Sequence, residues 1–318
     1  VNQNGSPADV VITGVILDGH GEHWRRRMQL RTMRREDIPA GLRLCRAATW
    51  NQLAEDWELL LAASPDGCRV ATNEDGEVVG SIAALNYGSA FTWIAMVLVD
   101  PGYRRAGIGT RLLMASLEIV GDDTARLDAT PAGQRVYVPL GFQEEYPLQR
   151  MTRRREGSRD LPPVPARESD SISALPLHVR PMTDSDFVEV LRQDRDVFGG
   201  ARRLLLDTLR ARAPEYAWVI GDDEIEGYLF GRQGHSFEHL GPLVARDEQS
   251  ARALVSTCLA SYADRSFLID VPLQASWVDW LASLGFVVQR PFTRMRRGTR
   301  PFHERLDRIF AITGPEFG

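Results

Sequence analysis

Lysine is missing from all 318 residues, so the 38 cationic side chains are all arginines. Its absence removes Schiff-base chemistry and the lysine of a nucleotide P-loop. Cysteine is scarce: Cys45, Cys68 and Cys258 form an odd set without a CxxC pair. That excludes a disulfide framework and a cysteine-rich zinc site, and it fits a reducing compartment. The six histidines contain no HExxH. His235 and His239 stand four apart, but Gly234, Gly241 and Pro242 argue against a helix between them, so no metal is expected. No apolar run approaches the ~18 residues that span a bilayer. Residues 10–17 are apolar but short, and Arg25, Arg26 and Arg27 follow them instead of preceding them, the wrong order for a signal peptide. A net charge of −5 excludes a broadly basic nucleic-acid coat. The reading is a cytoplasmic protein with neither nucleic acid nor membrane as partner.

What is present looks globular. Hydrophobic residues make up 43% and charged residues 25%, and the length suits two domains. Residues 1–28 are expected to be a poorly structured leader. Residues 153–176 are rich in proline, serine and charge; such a linker cannot bury enough surface to offset its ordering entropy. It separates a domain at 29–152 from another at 177–298, and a C-terminal tail follows at 299–318, with an amphipathic turn or two expected between Phe302 and Phe310.

The two domains read as diverged copies. Leu30-Arg31-Thr32-Met33 and Asp37 match Val179-Arg180-Pro181-Met182 and Asp186. Leu127-Asp128 matches Ile269-Asp270, Leu140-Gly141-Phe142 matches Leu284-Gly285-Phe286, and Arg150-Met151 matches Arg294-Met295. So many ordered agreements indicate a tandem duplication. Strand and helix patterns alternate within each copy, which predicts the α/β class, each copy a mixed β-sheet flanked by helices.

The stretch 91–120 carries the chemistry. Residues 94–99 form an apolar run with two valines, closed by Asp100-Pro101-Gly102, and read as a buried strand and a turn. From Thr110 the pattern is helical, with Leu112, Leu113, Ser116, Leu117 and Val120 on one face. A glycine-bearing loop therefore joins a strand to a helix N-terminus. Unpaired N–H groups beside the positive end of a helix dipole form an anion site, and glycines let the backbone approach phosphate oxygens. Neither GxxxxGK[ST] nor GxGxxG is present, since Leu112 stands where the last glycine of the latter would fall.

Arg104-x-x-Gly107-x-Gly109, preceded by Val-Asp-Pro-x-Tyr-Arg and followed downstream by Tyr137-Val138-Pro139-Leu140-Gly141-Phe142, resembles the GNAT superfamily of N-acetyltransferases, in the tandem two-domain bacterial form with a diverged second GNAT-like domain. The resemblance covers most of residues 30–152. It implies acetyl-CoA as co-substrate, with the diphosphate on the amides of Arg105, Ala106, Gly107, Ile108, Gly109 and Thr110 beside Arg104. It also implies pantetheine pairing with the backbone of Val97, Leu98 and Val99, and Tyr137 as the acid that protonates the departing thiolate. Pro139 departs from the usual helix at that place. Asp56 and Asp128 are candidate bases, alongside a water relay to the backbone.

Trp50, Asn51, Asp56, Trp57 and Trp93 are candidates for an acceptor cleft, since aromatic walls with a carboxylate suit a cationic amine. Trp50 and Trp57, seven apart, could equally share one buried helix face. In the second copy the glycine loop is lost, Asp247 and Glu248 occupy the helix start, where acids satisfy the terminus and repel phosphate, and Leu281 replaces Tyr137. That copy is expected to be catalytically silent. The function read from this is transfer of an acetyl group from acetyl-CoA to a primary amine of a small molecule or amino-acid derivative, by direct attack in a ternary complex. The alternative is a silent acyl-CoA sensor or partner-binding protein. The sequence leaves room for a homodimer.

Overall fold

A computed structural model describes residues 28–121, 123–155, 178–222 and 224–318. The expected leader up to residue 27 and the linker from 156 onward lie outside the described residues. The chain forms two compact units. One joins the chain up to Leu85 with Met96–Gly121; the other joins Asn86–Ala95 with Asp122–Gly318.

In the first unit, β1 (Gln29–Thr32), β2 (Arg69–Thr72) and β3 (Val78–Asn86) pair antiparallel in that order. Helices α1 (Ile38–Ala47) and α2 (Ala54–Ala63) lie between β1 and β2 in the chain. Strand β4 (Thr92–Val99) starts in the second unit and ends in the first, where α3 (Ile108–Val120) follows it. The face predicted for α3 is the buried one: Leu112, Leu113, Ser116, Leu117 and Val120 are all inside. Gly80 lets α3 sit against the sheet, because a Cβ there would lie 3.0 Å from the Ile108 side chain and 3.1 Å from that of Leu112.

The second unit begins, after the first residues of β4, with β5 (Ala125–Ala129), α4 (Pro131–Tyr137) and β6 (Gln143–Arg153). Next come β7 (Val179–Pro181), α5 (Asp184–Phe198), α6 (Arg203–Arg212), β8 (Trp218–Ile220), β9 (Gly227–Arg232) and β10 (Glu238–Ala245). It closes with α7 (Glu248–Ser261), β11 (Phe267–Pro272), α8 (Ala275–Ser283), β12 (Val287–Arg297) and β13 (Ile309–Ala311). Its strands run β5-β12-β6-β11-β10-β9-β8-β7, with β13 paired to β10.

The duplication is visible in matched local geometry. Arg31 grips Asp37 with bonds of 2.6 and 2.8 Å, and Arg180 grips Asp186 with bonds of 2.6 and 2.8 Å. In each case the acid also accepts a backbone N–H three residues earlier, from Arg34 or Thr183, at 2.8 Å. The hydrogen bond to Arg31 holds the Asp37 carboxyl below its usual range.

The copies exchange their last strands. Strand β12, from the second copy, lies between β5 and β6 of the first; β6 lies between β12 and β11. This puts Arg294 directly across from Asp128 and Arg150 directly across from Asp270. Arg294 binds Asp128 through Nε–Oδ1 at 2.8 Å and Nη2–Oδ2 at 2.9 Å. Arg150 binds Asp270 in the same fork at 2.8 and 2.7 Å. All four side chains are buried. Burial alone would raise the Asp270 carboxyl, but the Arg150 guanidinium outweighs it and holds it well below the usual carboxylate range. The exchange also shows why the compact units cut across the two copies: the last strand of each is built into the other's sheet.

In the tail, the turn or two expected between Phe302 and Phe310 is a single 3-10 turn, Leu306–Arg308, followed by a strand, Ile309–Ala311. Breaking one buried ion pair from one side leaves an uncompensated charge, costing about 3–5 kcal/mol. Arg294→Met should show that loss in urea unfolding. The double change Asp128→Leu/Arg294→Met should regain most of it; a double variant no more stable than the single would show that the fork is not what holds β12 on β5.

Candidate functional site

The loop between β4 and α3 has the geometry of an anion cradle. Asp100 opens it by accepting the Gly102 N–H at 3.0 Å, and Tyr103 N–H bonds Asp100 O at 2.9 Å. Two residues then adopt left-handed backbone: Arg105 at φ 64° and Gly107 at φ 75°. The second is easy only for glycine, and a Cβ on it would meet nothing within 4 Å, so this corner faces open space. Gly107 is the N-cap of α3, and the first bond it accepts comes from Arg111 N–H at 3.0 Å. Among the described residues, the amides of Arg105, Ala106, Gly107, Ile108, Gly109 and Thr110 donate to no other group. Six free donors gather at the positive end of a helix of 13 residues.

The strand feeding this loop is bent. Met96 has φ 55°, and parallel pairing of β4 with β5 covers only Thr92↔Ala125 and Trp93↔Arg126. Ser81 Oγ donates to Met96 O at 2.9 Å and pins the bend. Val97 and Val99 are half-buried and Leu98 is buried. A Cβ on Gly109 would touch Val99 at 3.6 Å and Val97 at 3.9 Å, so the strand end packs against the helix start. Arg104 Nε donates to Val99 O at 3.3 Å, while the Arg104 and Arg105 side chains stay exposed. These residues can hold a diphosphate: the donors are unpartnered, the corner is open, and two arginines flank it.

Tyr137 is the last residue of α4, in the other unit; Val138, Pro139 and Leu140 continue as a 3-10 turn. With Pro139 two residues on, the α-helix ends at the tyrosine. Its ring packs over Gly133, where a Cβ would lie 2.9 Å from it, and beside Phe142 at 5.9 Å. Burial pushes its phenol up to about 12. It stays protonated at neutral pH, as a proton donor must.

The acceptor candidates fare unevenly. Trp50, half-buried, and Asn51, buried, lie in the connection between α1 and α2 after Thr49 at φ 56°, so Trp50 does not share a helix with Trp57. Trp57 is 0% exposed and packs on Gly41, where a Cβ would come within 2.8 Å of its ring. It is a core residue, not a cleft wall. Asp56 accepts the Leu53 N–H at 2.8 Å and caps α2. Trp93 is also 0% exposed; its indole donates to Pro315 O at 3.0 Å, and Arg294 lies 4.6 Å over its ring. Asp128 is held by Arg294, so neither carboxylate considered as a base is uncommitted. Sequence reasoning missed Arg294 and the segment around Pro315. The repeated Arg-Met pairs carried the signal for the first, as charges that must find partners once buried.

In the second copy Asp247 caps α7, accepting Ser250 N–H at 2.9 Å, as its acidic start implied. Leu281 is 0% exposed and sits in the core on α8. His239 lies on β10 with Nε2 3.1 Å from Asp270 Oδ2, and burial, then Arg232, push its imidazole down to about 4. Among the described residues, no group of three or more His, Cys, Asp or Glu is placed to hold a metal, and no helix is long and apolar enough to cross a membrane.

A strand, an amide-lined loop and a helix, within duplicated mixed sheets, are the arrangement of an acyltransferase. Residues 31–142 match the acetyltransferase (GNAT) family, and residues 190–311 match an acetyltransferase (GNAT) domain. The chain belongs to the GNAT acetyltransferase family and carries two such domains in tandem. It is 27% identical over 261 residues to the uncharacterized N-acetyltransferase YitH of Bacillus subtilis, covering 81% of this chain and 87% of that protein. It is 25% identical over 277 residues to the holothin acyltransferase of a Pseudoalteromonas species, covering 84% and 88%. The fold is similar to that of a Pyrococcus horikoshii protein classed as an acetyltransferase, with TM-score 0.73, 23% identity and coverage of 95% and 99%.

His239 sets a pH dependence. Folded, it stays neutral down to about pH 4, whereas an unfolded histidine takes a proton near ~6.5. The unfolded state therefore binds more protons in that window. The stability due to this group is full above ~6.5 and drains as the pH falls toward 4. His239→Gln should flatten this part of the profile, read as urea midpoints between about pH 4 and pH 7. An unchanged profile would assign the acid sensitivity to other groups.

Proposed function

We propose that the chain moves an acetyl group from acetyl-CoA to a primary amine of a small molecule, by direct attack of the amine within a ternary complex. One observation carries this reading: six backbone amides without partners, from Arg105 to Thr110, ahead of α3. They would hold the diphosphate, with Gly107 giving the close approach and Arg104 and Arg105 adding charge. The backbone of Val97, Leu98 and Val99 would pair with the pantetheine arm, and an amide there would polarise the thioester carbonyl. Tyr137, protonated at neutral pH, would give its proton to the departing thiolate. The acceptor's proton would leave through water and backbone carbonyls, since Asp56 and Asp128 are engaged in a cap and an ion pair. A cytoplasmic setting fits the buried free thiols of Cys45, Cys68 and Cys258.

The same engagement of both acids favours a second reading, a silent acyl-CoA sensor. Release of free thiol from acetyl-CoA, screened over polyamines, amino acids and aminoglycosides, separates the two. Amine-dependent release is expected of the enzyme. Tight binding without turnover on any amine would leave the sensor.

Gly107→Glu puts a side chain on left-handed backbone and a negative charge among the amide donors. CoA affinity by calorimetry should fall at least 100-fold, about 2.7 kcal/mol, while Gly107→Asn, which tolerates that backbone, should lose far less. Equal affinity in wild type and Gly107→Glu would contradict the loop assignment. Tyr137→Phe should lower kcat roughly 100-fold with CoA affinity nearly unchanged. A variant with unaltered kcat would leave Tyr137 a packing residue.

A further inference from the structure

Strands β10 and β11 of the second copy pair in parallel for three residues only, Glu238↔Phe267, His239↔Leu268 and Leu240↔Ile269. Beyond that point β13 takes over. It pairs with β10 at Leu243↔Ala311 and Val244↔Ile309, and Ile312 N–H bonds Asp270 O on β11 at 2.9 Å. A piece of extended chain is thus bonded to both strands where they stop bonding each other. By the repeat, Leu243 and Val244 stand where the first copy has the end of β4. No described element of the first copy corresponds to β13.

The groove is cut for this segment. Gly241 has φ 144°, and a Cβ on it would fall 2.0 Å from Ile312 O. The segment's carbonyls are taken one after another: Phe310 O by Trp277 Nε1 at 2.9 Å, Thr313 O by Arg232 at 2.6 Å, and Pro315 O by Trp93 Nε1 at 3.0 Å. Phe317 O accepts from Tyr87 Oη at 2.7 Å. The last two donors are not in the second copy. Tyr87 precedes β4 and Trp93 is its second residue, on the far side of the strand order from β10. Trp93 also lies under Arg294, whose Nε and Nη2 hold Asp128 on β5.

We propose that residues 309–318 are a built-in occupant of the slot where the second copy would take a coenzyme A arm, and that this occupied copy serves the reaction by positioning the root of β4 through Trp93. The proposal rests on the reading of the first copy as the acetyl-CoA site. It explains why a copy without the glycine loop and the tyrosine keeps the parted parallel strands. The slot holds protein instead of cofactor, and the held segment reaches β4. Trp93 is a positioning residue; it lies four residues before Val97 on one strand and needs no contact with substrate.

The test uses the full-length chain. Calorimetry with acetyl-CoA should give one site per chain; two sites would overturn the proposal, and none would overturn the acetyl-CoA reading itself. Trp93→Phe keeps a ring under Arg294 but loses the bond to Pro315. Trp277→Phe loses the matching bond to Phe310, away from β4. Trp93→Phe should raise KM for acetyl-CoA at least fivefold with little loss of Tm, whereas Trp277→Phe should lower Tm and leave KM within twofold. Equal KM in Trp93→Phe and wild type, or equal rises in both variants, would show the segment to be packing alone.

Discussion

Two buried forks, Asp128 with Arg294 and Asp270 with Arg150, hold the exchanged strands in place. Each joins an acid of one copy to an arginine of the other, directly across a strand pair. A buried charge left alone costs several kcal/mol, so a register slip by either strand would break its fork and strand two charges at once. The forks therefore specify pairing as much as they stabilise it. They also bind the fate of the copies together. The first copy's β5 is covered by the second copy's β12, so the second cannot be lost even though its own loop has no glycine.

Much of the local structure was legible. The repeat, the helical face of α3, the glycine-bearing loop before it and the acidic cap of α7 follow from short-range chemistry that the sequence states in order. The exchange was not legible, although its residues were. Asp128 and Asp270, Arg150 and Arg294 stand out as repeated pairs, but each acid could have met the arginine of its own copy. Which one it meets is decided by long-range strand order. The tryptophans misled for a similar reason: Trp57 and Trp93 look like cleft aromatics by composition, and only the fold shows that Gly41 and Pro315 bury them. Strand β13, three residues long, is too short to signal itself; Gly241, open to Ile312, was its faint trace.

The two copies have divided one ancestral design. The first keeps a loop of unpartnered amides and a phenol that burial pushes further up. The second has filled its helix start with Asp247 and its strand gap with its own chain. Family membership fixes acyl transfer as the class of chemistry. The acceptor is the question that chemistry must answer next.

A crystal structure of the full-length chain grown with coenzyme A tests the central claim most directly. The account expects the diphosphate on the amides of Gly107, Ile108 and Gly109, with residues 309–311 still paired to β10. A diphosphate lodged in the second copy, or none at the start of α3 at saturating coenzyme A, would contradict it.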